Sequence, residues 1–249
     1  MTGAGDGAAG GAAAGAGHIE AIVCDVLGTM VDEPGGLRAA VREAVPGADA
    51  ATQDLLLGVW QDHIEQEQLR IGHKERSYAN SEVLDREAAR RVADRAGLTD
   101  PAAVERLAGA GRRLSPWPDS VTGLARLARH VPVLGLSNAS RTTLLRLNAY
   151  AGLRWHQALS AEDARAYKPA AEVYRLALDA AGCPPERVLM VAAHAWDLRG
   201  AQAVGMRTAY VRRPVGDPPV GTDSFDLHTD GLDHLAELVE RAERLEAPA

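Results

Sequence analysis

Short apolar runs that stop on a polar residue recur along this chain, and stretches with helical spacing separate them. The run 19–25, Ile-Glu-Ala-Ile-Val-Cys-Asp, is rich in β-branched residues, ends at Asp25 and leads straight into Gly28 and Thr29. Such a run predicts a buried parallel strand that opens into a loop. The runs 131–136 and 188–192 read alike, the first reaching Ser137 and Asn138, the second His194 and Asp197. A fourth, 208–211, ends in Arg212-Arg213-Pro214, and 223–229 reads as a last strand. Helical patterns over 140–151, 170–181, 198–204 and 231–245 alternate with these runs. Strands and helices alternating in this way predict an α/β fold with a Rossmann-like, doubly wound parallel sheet.

Residues 35–115 break the alternation. They are rich in Ala, Arg, Glu and Leu, carry no strand pattern, and are punctuated by Gly97, Pro101 and the cluster Ser115-Pro116-Trp117-Pro118. A helical insert after the first strand is expected to lie over the strand ends, which makes 35–115 a helical cap and 18–34 with 116–249 the core. Residues 1–17 are almost wholly Gly and Ala, too apolar-poor to offset the entropy of ordering, and read as a disordered tail.

Composition narrows the partners. The 27 Lys and Arg against 34 Asp and Glu give a net charge of −7, without a basic block, which argues against a nucleic-acid binder. No apolar run approaches the ~20 residues of a membrane span. Cys24 and Cys183 are too few for a disulfide framework and lack metal-ligand spacing. The expectation is a cytoplasmic protein of 249 residues with an aliphatic core, since only 4% of its residues are aromatic.

Right-handed crossovers bring the carboxyl ends of parallel strands to one edge of a sheet, so the groups at those ends can meet. They are Asp25, Thr29, Ser137, Asn138, Lys168, His194 and Asp197. A carboxylate beside a lysine, hydroxyls and an amide suits a nucleophile that attacks an electrophilic centre and forms an ester. Taken singly, each has an ordinary alternative as a turn, cap or surface residue.

The ordered motifs resemble those of the haloacid dehalogenase superfamily, and within it the type II 2-haloacid dehalogenases. Asp25-Val-Leu-Gly-Thr29 is similar to the first motif and Leu136-Ser137-Asn138-Ala-Ser140 to the second. Tyr167-Lys168-Pro169 with Val173-Tyr174 is similar to the third, and Ala192-Ala-His194-Ala-Trp196-Asp197 to the fourth. The resemblance implies Asp25 as nucleophile, Thr29 and Lys168 as its positioning groups, and Ser137 with Asn138 around the substrate carboxylate and leaving group. It implies Tyr174 as a supporting tyrosine and Asp197 as an ion beside Lys168 that holds water. Leu27 and Trp196 are expected at the wall of the substrate site.

Two departures from phosphatase members follow. Such phosphatases carry an acid two residues after the nucleophile, where this chain has Leu27, and another acid next to or four residues from the last Asp, where it has Ala193, Trp196, Leu198 and Ala201. Leu27 can neither give nor take a proton, and Mg²⁺ prefers carboxylate oxygens, so no metal and no cofactor are expected. Two more departures concern the dehalogenases. Where those have Trp-Arg to receive halide this chain has Trp60-Gln61, and its fourth motif holds Ala192 and His194 in place of Ser and Asn. The cap residues His63, Arg70, His73 and Arg76 are candidates to replace that Arg. His194 reads either as a base or anion binder, or as a hydrogen-bonded loop residue.

The expected activity is a metal-independent hydrolysis of a small 2-substituted carboxylic acid through a covalent ester. A phosphatase, or a hydrolase of a non-halogenated substrate such as a strained cyclic amino acid, is the alternative. Relatives often pair, so the resemblance also implies a homodimer.

Overall fold

The computed structural model describes residues 19–246. The tail expected over 1–17 lies outside these residues. Six parallel strands form one sheet in the order β3-β2-β1-β4-β5-β6. They are β1 (Ala21–Asp25), β2 (Val133–Ser137), β3 (Gln157–Ser160), β4 (Val188–Ala192), β5 (Arg207–Val211) and β6 (Leu227–Thr229). The α/β, doubly wound sheet is therefore present, and the chain reverses its direction of winding between β1 and β4, where such sheets place their sites.

Alternation along β1 fills both faces of the sheet. Ile22 and Cys24 enter one hydrophobic cluster, while Ala21 and Val23 enter the other. Helices α5 (Ser120–Leu127), α6 (Arg141–Ala151) and α9 (Leu232–Glu246) contribute to the first cluster; α7 (Ala171–Ala181) and α8 (Ala195–Gln202) contribute to the second. At about 25 cal/mol per Å² of apolar surface removed from water, these aliphatic layers supply the bulk of the stabilisation. The strand β3 has no counterpart among the apolar runs of the sequence. It is a short edge strand, Gln-Ala-Leu-Ser, with its first two residues exposed, so it lacks the signature of a buried strand. Helix α8 begins at Ala195, three residues ahead of the pattern seen in the sequence.

Between β1 and β2 lie α1 (Glu33–Ala44), α2 (Ala50–Gly72), α3 (Ser81–Ala96) and α4 (Pro101–Ala108). Each opens on a side-chain cap: Asp32 to Gly35, Asp49 to Thr52, Asn80 to Val83 and Asp100 to Ala102. Gly97 ends α3 at φ +66, the left-handed turn that glycine adopts without penalty. The four helices share a cluster of their own, built on Leu37, Val41, Leu56, Trp60, Val92 and Leu107. A small cluster of Ile71, Leu84 and Tyr167 joins this helical layer to the sheet domain. Tyr167 donates its hydroxyl to Ala79 O at 2.8 Å, and Ser81 Oγ accepts from Ser140 N at 2.8 Å, across the same seam.

Candidate active site

Asp25 is the last residue of β1 and 6% exposed. The tight loop after it returns to the helical layer through Gly28, at φ +77, and closes with Met30 N donating to Val26 O at 2.9 Å. That turn carries Thr29 back over the strand end. Its hydroxyl donates to Asp25 Oδ2 at 2.7 Å and accepts from Ala193 N at 2.9 Å. The other oxygen, Asp25 Oδ1, accepts from Lys168 Nζ at 2.9 Å. Each oxygen of the carboxylate therefore has one donor, which fixes the plane of the group and leaves lone pairs for attack.

Lys168 also reaches Asp197 Oδ2 at 2.8 Å. Asp197, in the first turn of α8, accepts on Oδ1 from the Tyr174 hydroxyl at 2.6 Å. Lys168, Asp197 and Tyr174 are almost wholly buried. Burial alone would pull the Lys168 pKa down, but Asp197 and Asp25 outweigh it and hold the ammonium charged. For Asp197, burial pushes the pKa up, Lys168 opposes it, and the neighbouring Asp25 adds to the rise. The triad is thus held together by mutual compensation. Removing the Lys168 cation from this set leaves buried carboxylates uncompensated, at a cost of about 3–5 kcal/mol.

Ser137 ends β2, fully buried, its Oγ accepting from Ala139 N at 3.1 Å. Asn138 accepts on Oδ1 from Lys168 N at 2.9 Å, an arrangement that turns its amide Nδ2 away from the lysine backbone. Leu27 and Trp196 are both half-buried at the same edge. His194 stands over the first loop: a Cβ on Gly28 would meet His194 Nε2 at 2.5 Å. Its Nδ1 is 3.1 Å from Asp217 Oδ2, and its ring lies 5.7 Å from that of Trp196. Burial works against the imidazolium, yet Asp25, Asp217 and Asp197 together raise the His194 pKa above its ordinary 6.5.

Gln61 is exposed on α2, whereas its neighbour Trp60 points into the hydrophobic cluster of the helical layer. The helical periodicity of α2 decides this, because its buried face runs through Leu56, Leu57, Trp60, His63, Glu67 and Ile71. Three of the other cationic candidates of that layer are engaged by the carboxylates of Glu67 and Glu87. Arg76 binds Glu67 at 2.5 Å and Glu87 at 2.7 Å, Arg70 binds Glu67 at 3.0 Å, and His63 binds Glu87 at 3.2 Å. His73 is exposed.

An acid absent from the motif reading is Glu33, the first residue of α1. Burial pushes its pKa up to about 7, His194 opposes the rise and Asp25 adds to it, so the side chain feels both site residues. Asp85 of α3 is raised well above the usual range by burial and by Glu33, the Arg112 cation opposing. The one sequence signal for Glu33 is its position, eight residues past the nucleophile at the start of the inserted helices. Among the described residues, no group of three or more His, Cys, Asp and Glu side chains is arranged to hold a metal ion.

A family model of haloacid dehalogenase-like hydrolases matches residues 19–205. The chain belongs to this family. It is a hydrolase of the α/β class, and among the proteins it is similar to are several haloacid dehalogenases. It is 30% identical over 206 residues to an (S)-2-haloacid dehalogenase of Pseudomonas putida, covering 80% of this chain and 87% of that one. An L-2-haloacid dehalogenase of Xanthobacter autotrophicus, solved with chloropropionic acid covalently bound, superposes with a TM-score of 0.77 at 27% identity, over 89% of this chain and 98% of that one. A defluorinating L-2-haloacid dehalogenase superposes with a TM-score of 0.81 at 28% identity, over 89% of this chain and 95% of that one. No described helix is long and apolar enough to cross a membrane.

Proposed function

We propose that this chain hydrolyses a small 2-substituted carboxylic acid, a 2-haloacid first of all, through an ester on Asp25. The observation that carries the reading is the Asp25 carboxylate itself, at the end of β1, with Thr29 on one oxygen and Lys168 on the other. An Asp25 oxygen attacks carbon 2, the C–O bond forms as the C–X bond breaks, and X⁻ departs with the bonding pair. Water then attacks Asp25 Cγ, the acyl C–O bond breaks, and the 2-hydroxy acid and a proton are released. Asp197 and Lys168 polarise that water, and His194, backed by Asp217, accepts its proton. Ser137 and the Asn138 amide, neutral hydrogen-bonding groups, receive the substrate carboxylate.

Lys168 fills the space between the two carboxylates with an ammonium, and the Leu27 side chain offers neither a carboxylate oxygen nor a proton, which supports catalysis without a metal. The helical insert expected over 35–115 acts as the cap over this edge, and it meets the sheet domain at the seam of Tyr167 and Ser140. We place the protein in the cytoplasm, where its two free thiols, Cys24 and Cys183, stay reduced, and take it as a homodimer, checked by sedimentation.

The test is single-turnover hydrolysis of 2-chloropropionate in ¹⁸O-water, with and without EDTA, followed by mass spectrometry of the Asp25 peptide. One ¹⁸O on Asp25, in both samples, is the expected result. Product formed with unlabelled Asp25 would refute the ester. A second reading concerns the leaving group. Gln61 is exposed, Arg70 and Arg76 of the cap are paired with Glu67, and Glu33 lies within the field of Asp25 as an acid of pKa about 7. A protonated Glu33 suits a leaving group that departs with a proton, as the ring nitrogen of a strained cyclic amino acid does. Parallel screens for halide and for ring-opened product separate the two.

A further inference from the structure

The loop that follows Asp25 has its backbone held from outside at successive residues. Gly28 O accepts from Trp117 Nε1 at 3.0 Å, Thr29 O from Arg213 Nε at 2.8 Å, and Met30 O from Trp117 N at 3.1 Å. Arg213 lies just past β5, and its side chain is 6% exposed. Its Nη1 donates to both oxygens of Asp119, at 2.7 and 3.0 Å, and Asp119 is itself fixed by Leu232 N at 2.7 Å. The guanidinium carbon stands 5.9 Å from the centre of the Trp117 ring. Nη2 is buried and has no hydrogen-bond partner among the described residues.

Burying a guanidinium costs several kcal/mol before its ion pair repays part of that, and an orphaned N–H adds to the cost. An apolar side chain would fill this space more favourably. What an apolar residue cannot do is donate a directed hydrogen bond to Thr29 O. We propose that Arg213 is a positioning residue for Thr29 and, through it, for Asp25. The inference rests on Asp25 being the nucleophile.

The chain of contact is short. Arg213 holds the carbonyl of Thr29, and the hydroxyl of the same residue bridges Ala193 N at 2.9 Å and Asp25 Oδ2 at 2.7 Å. A hydroxyl has one proton. Thr29 spends it on Asp25 as long as its oxygen is fixed by Ala193, and a shift of the Thr29 backbone breaks both bonds together. Misplacing a reacting group by about 1 Å costs on the order of 100-fold in rate. Arg213 touches Thr29, Asp119 and the Trp117 face, none of them a group assigned to the substrate, so the loss falls on the chemical step and leaves binding intact.

The experiment compares wild type, Arg213→Met, Arg213→Lys and Arg213→Ala, measuring the rate of ester formation on Asp25 from 2-chloropropionate by rapid quench and mass spectrometry. KM, kcat and the near-ultraviolet circular dichroism spectrum are recorded for each. Arg213→Met is expected to slow ester formation about 30- to 100-fold with KM within about 2-fold, since geometry and not binding is lost. Arg213→Lys, which keeps a donor, falls between the two, and millimolar guanidinium restores part of the Arg213→Ala rate. A folded Arg213→Met that forms ester at the wild-type rate overturns the inference. So does a loss that matches the unfolded fraction and that neither lysine nor guanidinium relieves. If wild type forms no ester with any haloacid, the nucleophile assignment of the preceding section fails first, and this inference with it.

Discussion

The imidazole of His194 occupies the space that a side chain on Gly28 would need, with Nε2 2.5 Å from the ideal Cβ position. Gly28 also sits at φ +77, a conformation that other residues adopt at a cost of about 1–2 kcal/mol. Gly28→Ala is therefore expected to lower the melting temperature and to displace His194 from above Asp25. Turnover should drop by at least about 10-fold, on the scale of general acid–base catalysis. Matching the variant against His194→Asn tests this: equal, full activity in both would remove His194 from the reaction.

Tyr174 gives its one hydroxyl proton to Asp197, and Gly200 leaves room for it, since a Cβ there would lie 2.4 Å from the hydroxyl oxygen. Tyr174→Phe strips a buried carboxylate oxygen of its donor, a loss of about 1–3 kcal/mol. The tyrosine bond also holds the Asp197 pKa down against burial. Without it the Asp197 pKa climbs, so the acidic limb of kcat against pH should move to higher pH. An unmoved limb would show that Asp197 does not titrate in turnover.

Lys168→Met leaves Asp25 and Asp197 buried with no cation between them, a change expected to cost about 3–5 kcal/mol near neutral pH. Asp197, already raised by burial and by the neighbouring Asp25, then loses the cation that opposes the rise. A raised acid is accommodated when protonated, so stability is fullest at low pH and is lost as pH rises. Urea melts of the variant should show a smaller deficit at pH 5 than at pH 8. A deficit equal at both would mean that the lysine supports the fold through packing alone.

Glu33 carries the same sign in the wild-type protein. Its folded pKa of about 7 lies above the ordinary 4.5, so the fold binds a proton that the unfolded chain releases. Between those values stability declines as pH rises, with full benefit below the lower one. Glu33→Gln should flatten that slope, read as the difference in melting temperature between pH 4.5 and pH 7.5. A slope equal to that of wild type would assign the pH dependence to other groups.

Strand ends are readable from the sequence because β1, β2 and β4 are buried on both faces, β1 and β2 end on Asp25 and Ser137, and β4 leads into His194 and Asp197; Asp25 and Asp197 meet at Lys168. β3 escaped because an edge strand buries too little to leave a pattern. For Gln61 the dipeptide resemblance reports position alone, whereas the turn of α2 sends adjacent side chains about 100° apart, Trp60 inward and Gln61 outward. Arg213 and Trp117 stand out in the sequence only as a strand end and as part of a helix-breaking cluster, and Asp119 carries no local signal. Their role depends on contacts spanning 89 to 184 residues of chain, which spacing within a motif does not report.

The alternation of β1 has a chemical corollary. Haloacids are alkylating agents, and a thiolate beside the nucleophile would be alkylated in its place. Cys24 immediately precedes Asp25, yet the pleat turns its sulfur into the opposite layer of the sheet, fully buried, where burial and the Asp25 charge lift its pKa to about 12. On the proposed function, one residue of register thus separates the oxygen that the substrate alkylates from a sulfur turned away from it. The enzyme would be immune to poisoning by its own substrate at the position next to its nucleophile.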